Sequence, residues 1–222
     1  MPLQYDLLGD FEPIALIANN PLMIVSKNAV PAKDLNGLIA WLKANEDRAS
    51  AGTSGAGAPS HIAGVFFQKQ TGTHFQFVPY RGAGPVLQDL MAGQIDLMFD
   101  QVSNSLPHVR SGKIRAYAVA SQARATVAAD IPTVDEAGLP NFHVSVWHAL
   151  WVPKGSANDI KGKLNAVVVD ALADPAVRHR FTDLGQEIPP REQQTPEALR
   201  AFHKAEIERW WPIVKAAGIK PE

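Results

Sequence analysis

Cysteine is absent from the 222 residues, which excludes disulfides and thiolate metal sites and leaves the redox compartment open. A basic excess is missing too. Lys and Arg number 21 against 22 Asp and Glu, a formal net charge of -1, and this argues against a nucleic-acid or polyanion binder. No apolar run approaches the ~20 residues of a membrane span. The opening M-P-L-Q-Y-D-L-L-G-D lacks the basic n-region and apolar h-region of a secretory signal, so no export signal is expected in these residues. The seven histidines form neither H-E-x-x-H nor a comparable ligand pair, so no metal is expected. No cofactor is expected either. Internal repeats and low-complexity tails are absent, and the length suits one domain or two lobes.

What the chain does have is a stretch of small residues, Ala49 to Phe67, reading A-S-A-G-T-S-G-A-G-A-P-S-H-I-A-G-V-F-F. Gly52, Gly55 and Gly57 allow φ > 0 and the close approach of a ligand to the main chain. Pro59 and Ser60 start a helix whose inner face is Ile62, Ala63, Phe66 and Phe67, with Ser60 as its cap. A glycine- and hydroxyl-rich turn entering a helix presents unpaired N–H groups and the positive end of the helix dipole, the outline of an anion site. No Lys follows the glycines and no G-x-G-x-x-G occurs, so a small carboxylate suits the turn better than a nucleotide. The plainer reading is a flexible glycine loop ahead of an ordinary helix.

Around this stretch, strands and helices alternate. Phe11 to Ser26 reads as buried extended chain broken by a turn at Asn19-Asn20-Pro21. Asp34 caps a helix with Leu35, Leu38, Ile39 and Leu42 on one face. Phe75, Phe77 and Tyr80 alternate as in a short strand. It leads through Arg81-Gly82-Ala83-Gly84-Pro85 into a helix that Gly93 closes. Ile95 to Phe99 is a strand ending at Asp100, Ser105 to Arg110 a helix, and Ile114 to Ala120 a fourth strand. Four such alternations predict an α/β fold with a largely parallel sheet, whose ligands sit beyond the carboxyl ends of the strands. Those ends are Thr53-Ser54, Tyr80-Arg81, Asp100-Gln101 and Ser121-Gln122, all polar. Phe142 to Val152 is extended and carries Trp147 and Trp151. Ile160 to Leu172, a short helix from Pro175, and a last helix from Thr195-Pro196-Glu197 through Trp210 and Trp211 to near Gly218 complete the chain.

Each candidate group has two readings. His61 is the one histidine well placed for a ligand, though lining a polar turn is the plainer role for it. Ser54, His61 and Asp100 make an imaginable triad, but no G-x-S-x-G elbow supports a serine hydrolase. Asp100 beside Asn104 is either an acceptor for a ligand or a cap for the following turn. Arg81 pairs with a carboxylate or is solvated. Trp147 is a cleft wall or core, and Phe66-Phe67 are assigned to core.

The segments D-F-E-P-I-A-L-I, A-G-T-S-G-A-G-A-P-S-H-I-A-G, V-P-Y-R-G-A-G-P-V-L-Q-D-L-M-A-G-Q-I-D-L-M-F-D, S-L-P-H-V-R-S-G-K-I-R-A-Y-A-V, I-P-T-V-D-E-A-G-L-P and V-K-A-A-G-I-K occur in one order through nearly the whole chain. Together they resemble the substrate-binding proteins of the tripartite tricarboxylate transporters, the Bug or TctC family. The resemblance implies a periplasmic-binding-protein-like α/β fold with a mainly parallel sheet and flanking helices. It implies periplasmic capture of small organic carboxylates, or related molecules, for a membrane permease, and no catalysis. Carried onto this sequence, it points to Thr53, Ser54, Gly55, Ser60 and His61, with Arg81, Gly82, Ala83 and Asp100 from neighbouring turns and Trp147 from the crossover segment.

Family members look longer at the front, with an export signal and then a strand, loop and helix of the first lobe. That comparison implies a shortened member, in which residues 21–144 are expected to form a complete second, ligand-binding lobe and residues 1–20 and 145–222 a remnant of the first with C-terminal helices. Apolar helix faces without their sheet should seek a partner, so a homo-oligomer through Trp210, Trp211, Ile213 and Val214 is expected. The rivals are a hydrolase using Ser54 and His61, and a shortened interaction module that binds no acid.

Overall fold

Apolar runs become strands in this chain and the helical stripes between them become the layers that cover them. The computed structural model describes residues 4–219. In order come β1 (Phe11–Lys27), α1 (Leu35–Ala44), β2 (Ser50–Thr53), α2 (Pro59–Thr71), β3 (Gln76–Pro79), α3 (Ala83–Ala92), β4 (Leu97–Gln101), α4 (Val102–Arg110) and β5 (Ile114–Val119). They are followed by β6 (Ser145–Pro153), α5 (Asn158–Ala173), α6 (Pro175–Asp183) and α7 (Pro196–Ala216). The chain divides into two compact units. Among the described residues, a glycine-loop unit contains Pro21–Val146 and residues 213–219; a tryptophan unit contains residues 4–20 and Trp147–Pro212.

In the glycine-loop unit the strand order is β3-β2-β4-β1-β5. β2 pairs in parallel with β3 and with β4, while β1 runs antiparallel to both β4 and β5. Strands β2 to β5 therefore share one direction and β1 alone is reversed. The chain leaves β2 for β3 on one side and then crosses to β4 on the other. This puts β2 at a switch point, where open α/β sheets bind ligands beyond the strand ends.

Alternation along β4 sorts the core into two faces. Phe99 points to the α2 side, where the Phe67 ring lies 5.2 Å from Phe99, 5.6 Å from Phe142 and 6.4 Å from Phe75. Met98 points to the other side and packs with Met23, Val25, Val86, Leu90, Val102 and Ile114. The register is pinned at the opposite strand ends by Asp96, which accepts from the Ser50 N–H at 2.8 Å and pairs with Lys27 at 2.8 Å.

The tryptophan unit is built on the first part of β1. Asn19 exchanges two backbone bonds with Glu187, Asn165 Nδ2 donates to the Ile14 carbonyl at 2.8 Å, and Lys161 pairs with Glu12 at 2.8 Å. β6 carries no fully buried residue. Trp211 is 62% exposed, and Trp210 is half-buried with Arg209 over its ring.

Three expectations are corrected here. No turn interrupts β1 at Asn19-Asn20-Pro21, because Asn19 bonds Glu187 and Leu22 bonds Val144 and Ala120, so the ladder continues past the proline. The inner face of α2 is Ser60, Ala63, Gly64 and Phe67, whereas Ile62 and Phe66 are half-buried. Asp100 lies within β4, and α4 begins at Val102 rather than Ser105.

Candidate functional site

The parallel register sets Thr53 opposite Pro79 and Gly52 opposite Met98. The exits of β2, β3 and β4 thus stand side by side on one sheet edge, and the Tyr80 N–H closes it by donating to the Thr53 carbonyl at 2.9 Å. Each exit runs into a helix: α2, α3 and α4 begin there, and none has a side-chain cap bond at its N-cap residue Ala58, Gly82 or Gln101. Helices α1 and α6, by contrast, are capped by Asp34 and Asp174. Three uncapped N-termini on one edge place donor N–H groups and positive dipole ends together.

The glycine turn after β2 is fixed from within. Gly52 allows close packing: a Cβ there would meet Val86 and Ile95 at 2.4 Å. Gly55 and Gly57 take φ of 136° and 74°. Ser60 is not the cap; it lies in the first turn of α2, is buried, and its Oγ accepts from the Ser54 N–H at 2.9 Å. Ser54 Oγ is hydrogen-bonded to the same oxygen at 3.0 Å. His61 Nδ1 accepts from the Gly57 N–H at 3.0 Å, so the neutral ring carries its proton on Nε2. Burial lowers the His61 pKa, and the ring stands edge-on to Phe77 at 4.5 Å. Among the described residues the N–H groups of Gly55 and Ala56 have no partner.

Beside this turn, Arg81 is exposed and forms no ion pair among the described residues, with Gly82 and Ala83 half-buried behind it. Gly82 has φ 104°. Tyr80 donates to Asp89 at 2.7 Å; desolvation, reinforced by that bond and charge, pushes its phenol up to about 12. Asp100 is buried and accepts from Ser105 Oγ at 2.7 Å and Asn104 Nδ2 at 3.2 Å. Burial raises its pKa, and the donors Ser105, Asn104 and the Gln101 N–H oppose the rise.

Thr53, Ser54, Gly55, Ser60, His61, Arg81, Gly82, Ala83 and Asp100 all belong to this edge of the glycine-loop unit. Trp147 belongs to the tryptophan unit, where its ring packs 5.7 Å from Trp151, 5.3 Å from Phe202 and 5.5 Å from His203. The imagined triad is not formed: Ser54 bonds Ser60, His61 turns Nδ1 to Gly57, and Asp100 braces α4. Three features were missed in the sequence: the Gly57–His61 bond, the Tyr80–Asp89 bond and the Ser105 brace. Their i+4, i+9 and i+5 spacings carry no distinctive signal. Among the described residues no group of three His, Asp or Glu side chains forms a metal site, and no helix is long and apolar enough to cross a membrane.

A family model described as "Tripartite tricarboxylate transporter family receptor" matches residues 1–219. The chain belongs to that receptor family. An Agrobacterium vitis relative of this family receptor, described as a UPF0065 protein in the TAR-I ttuE-ttuC' intergenic region, is 40% identical over 216 residues. The match covers 97% of this chain and 62% of the relative, so the receptor chain spans less than two thirds of that protein's length. MatC (Rpa3494) from Rhodopseudomonas palustris with bound malate is 37% identical at a TM-score of 0.87, covering 96% of this chain and 73% of that one. R. palustris Rpa4515 with adipate is 29% identical at a TM-score of 0.89, covering 98% and 72%. These likenesses bear out the periplasmic-binding-protein-like α/β fold expected from the resemblance.

Proposed function

We propose that this receptor captures small organic carboxylates in the periplasm and hands them to the membrane permease of a tripartite tricarboxylate-type transporter, without catalysing a reaction. The observation that carries the reading is the sheet edge on which α2, α3 and α4 all start without side-chain caps, beside an Arg81 that forms no ion pair among the described residues. Backbone N–H groups, the Ser54 hydroxyl and the Arg81 guanidinium suit a carboxylate, each charged hydrogen bond contributing about 1.5–3 kcal/mol. Asp100 takes a donor from the ligand or from water. Two related structures, one with malate and one with adipate, support the ligand class. The absence of catalysis is supported by the three would-be triad groups being bonded elsewhere.

Calorimetry against malate, succinate, adipate, AMP and glucose tests this proposal. One or more of the dicarboxylates is expected to bind with one site per chain, and AMP and glucose to give no binding heat. Binding of AMP or glucose with all three acids silent would overturn the assignment. Turnover of simple esters would instead favour the hydrolase.

A further inference from the structure

The tryptophan unit holds a cavity of its own, about 460 Å³ in volume, inside the range of about 300–1,000 Å³ typical of small-ligand sites. Its lining is mixed, about as polar as apolar, and open to solvent on one side: Val169 and Leu172 from α5, then Ile188 and Pro189 from the chain that follows α6, supply the apolar part. Two cations, Arg178 of α6 and Arg191, complete the lining. Neither forms an ion pair among the described residues, whereas Lys161 in the same unit is paired with Glu12 at 2.8 Å. Asp174 caps α6 through Oδ1, which accepts from the N–H groups of Ala176 and Val177 at 2.8 and 3.1 Å, and Arg178 Nη1 donates to the Leu172 carbonyl at 3.4 Å.

The walls are also braced. Gln194 is buried, donates from Nε2 to the Pro189 carbonyl at 2.7 Å, and through its own carbonyl accepts from Asn165 at 2.8 Å. Pro189 and Pro190 fix their own φ angles. The lining is thus held in place without a ligand, which lowers the entropy cost of binding one.

Apolar side chains beside two guanidinium groups that form no ion pair among the described residues are complementary to an amphipathic anion. We propose that this cavity binds medium-chain monocarboxylates, the chain against Val169, Leu172, Ile188 and Pro189 and the carboxylate against Arg178 and Arg191. This site is independent of the glycine-turn edge and of its ligand.

Octanoate is the probe, titrated calorimetrically into the chain. One molecule is expected to bind, with affinity unchanged by saturating adipate and at least tenfold weaker in the double variant Arg178→Gln/Arg191→Gln. Ala173→Phe, which fills the cavity and leaves both cations, should abolish binding. The proposal is overturned if octanoate does not bind the parent, if adipate displaces it, or if the double variant binds it equally well. Should the double variant lose its cooperative melting transition, Ala173→Phe decides alone, and undiminished octanoate binding there overturns the site.

Discussion

Ser54→Asp is expected to weaken binding of any carboxylate the parent holds by at least a hundredfold, with little change in melting temperature. Ser54 sits half-buried at the exit of β2, beside the N–H groups of Gly55 and Ala56, which have no partner among the described residues. A fixed carboxylate there meets the ligand's own charge. At about 4 Å and an effective dielectric near 20, two like charges repel by about 4 kcal/mol, and the new side chain competes for the same helix N-terminal donors. Ser54→Ala is the mild comparison. It removes one hydroxyl and should cost about 1–3 kcal/mol of affinity, roughly five- to a hundredfold. The fold tolerates both changes because Ser60 Oγ keeps its bond from the Ser54 backbone N–H. Calorimetry on parent and variants checks the pair. Equal affinity in Ser54→Asp would remove Ser54 from the site.

Phe67→Ala is expected to destabilise the glycine-loop unit by about 3–5 kcal/mol, the range for deleting a buried aromatic ring. Phe67 is fully buried, and its ring is flanked by those of Phe75, Phe99 and Phe142. Those neighbours sit on β4 and on segments outside α2, so the void cannot close by moving one side chain. Phe66 stacks on Phe142 at 5.2 Å but is only half-buried, and Phe66→Ala should cost clearly less. Hydrogen exchange of the β2 and β4 amides reads the unit's own stability even though the chain has two units. A loss below about 1 kcal/mol for Phe67→Ala would contradict this packing, since deletions that small occur where a site collapses or was never filled.

Much of this architecture is legible in the residues because local signals and packing agree. Asp34 caps α1 and Thr195 Oγ1 accepts from the Ala198 N–H. Gly93 ends α3 in the left-handed conformation at φ 82°. The runs read as strands at Ile95 to Phe99 and Ile114 to Ala120 fall on β4 (Leu97–Gln101) and β5 (Ile114–Val119), with β4 starting two residues later. What the sequence hides is non-local. β1 is inserted antiparallel between β4 and β5, and nothing in the run around Leu22 states which neighbours it takes. Pro21 mimics a turn signal, yet the strand passes through it because Asn19 before it and Leu22 after it both find backbone partners. Ser60 shows the same limit at the site. Serine after proline reads as a cap, but the chain gives its hydroxyl to Ser54 across the glycine turn.

The central claim is that a carboxylate is held by the uncapped helix starts beyond β2, β3 and β4. Its most direct test is an NMR titration of the chain with malate and with adipate, following backbone amide shifts. For an acid that binds, the largest changes are expected at Ser54–His61 and Arg81–Ala83, with smaller ones at Asp100–Asn104. Saturable binding of either acid with those amides unmoved, and the shifts gathered on another part of the chain, would contradict the account.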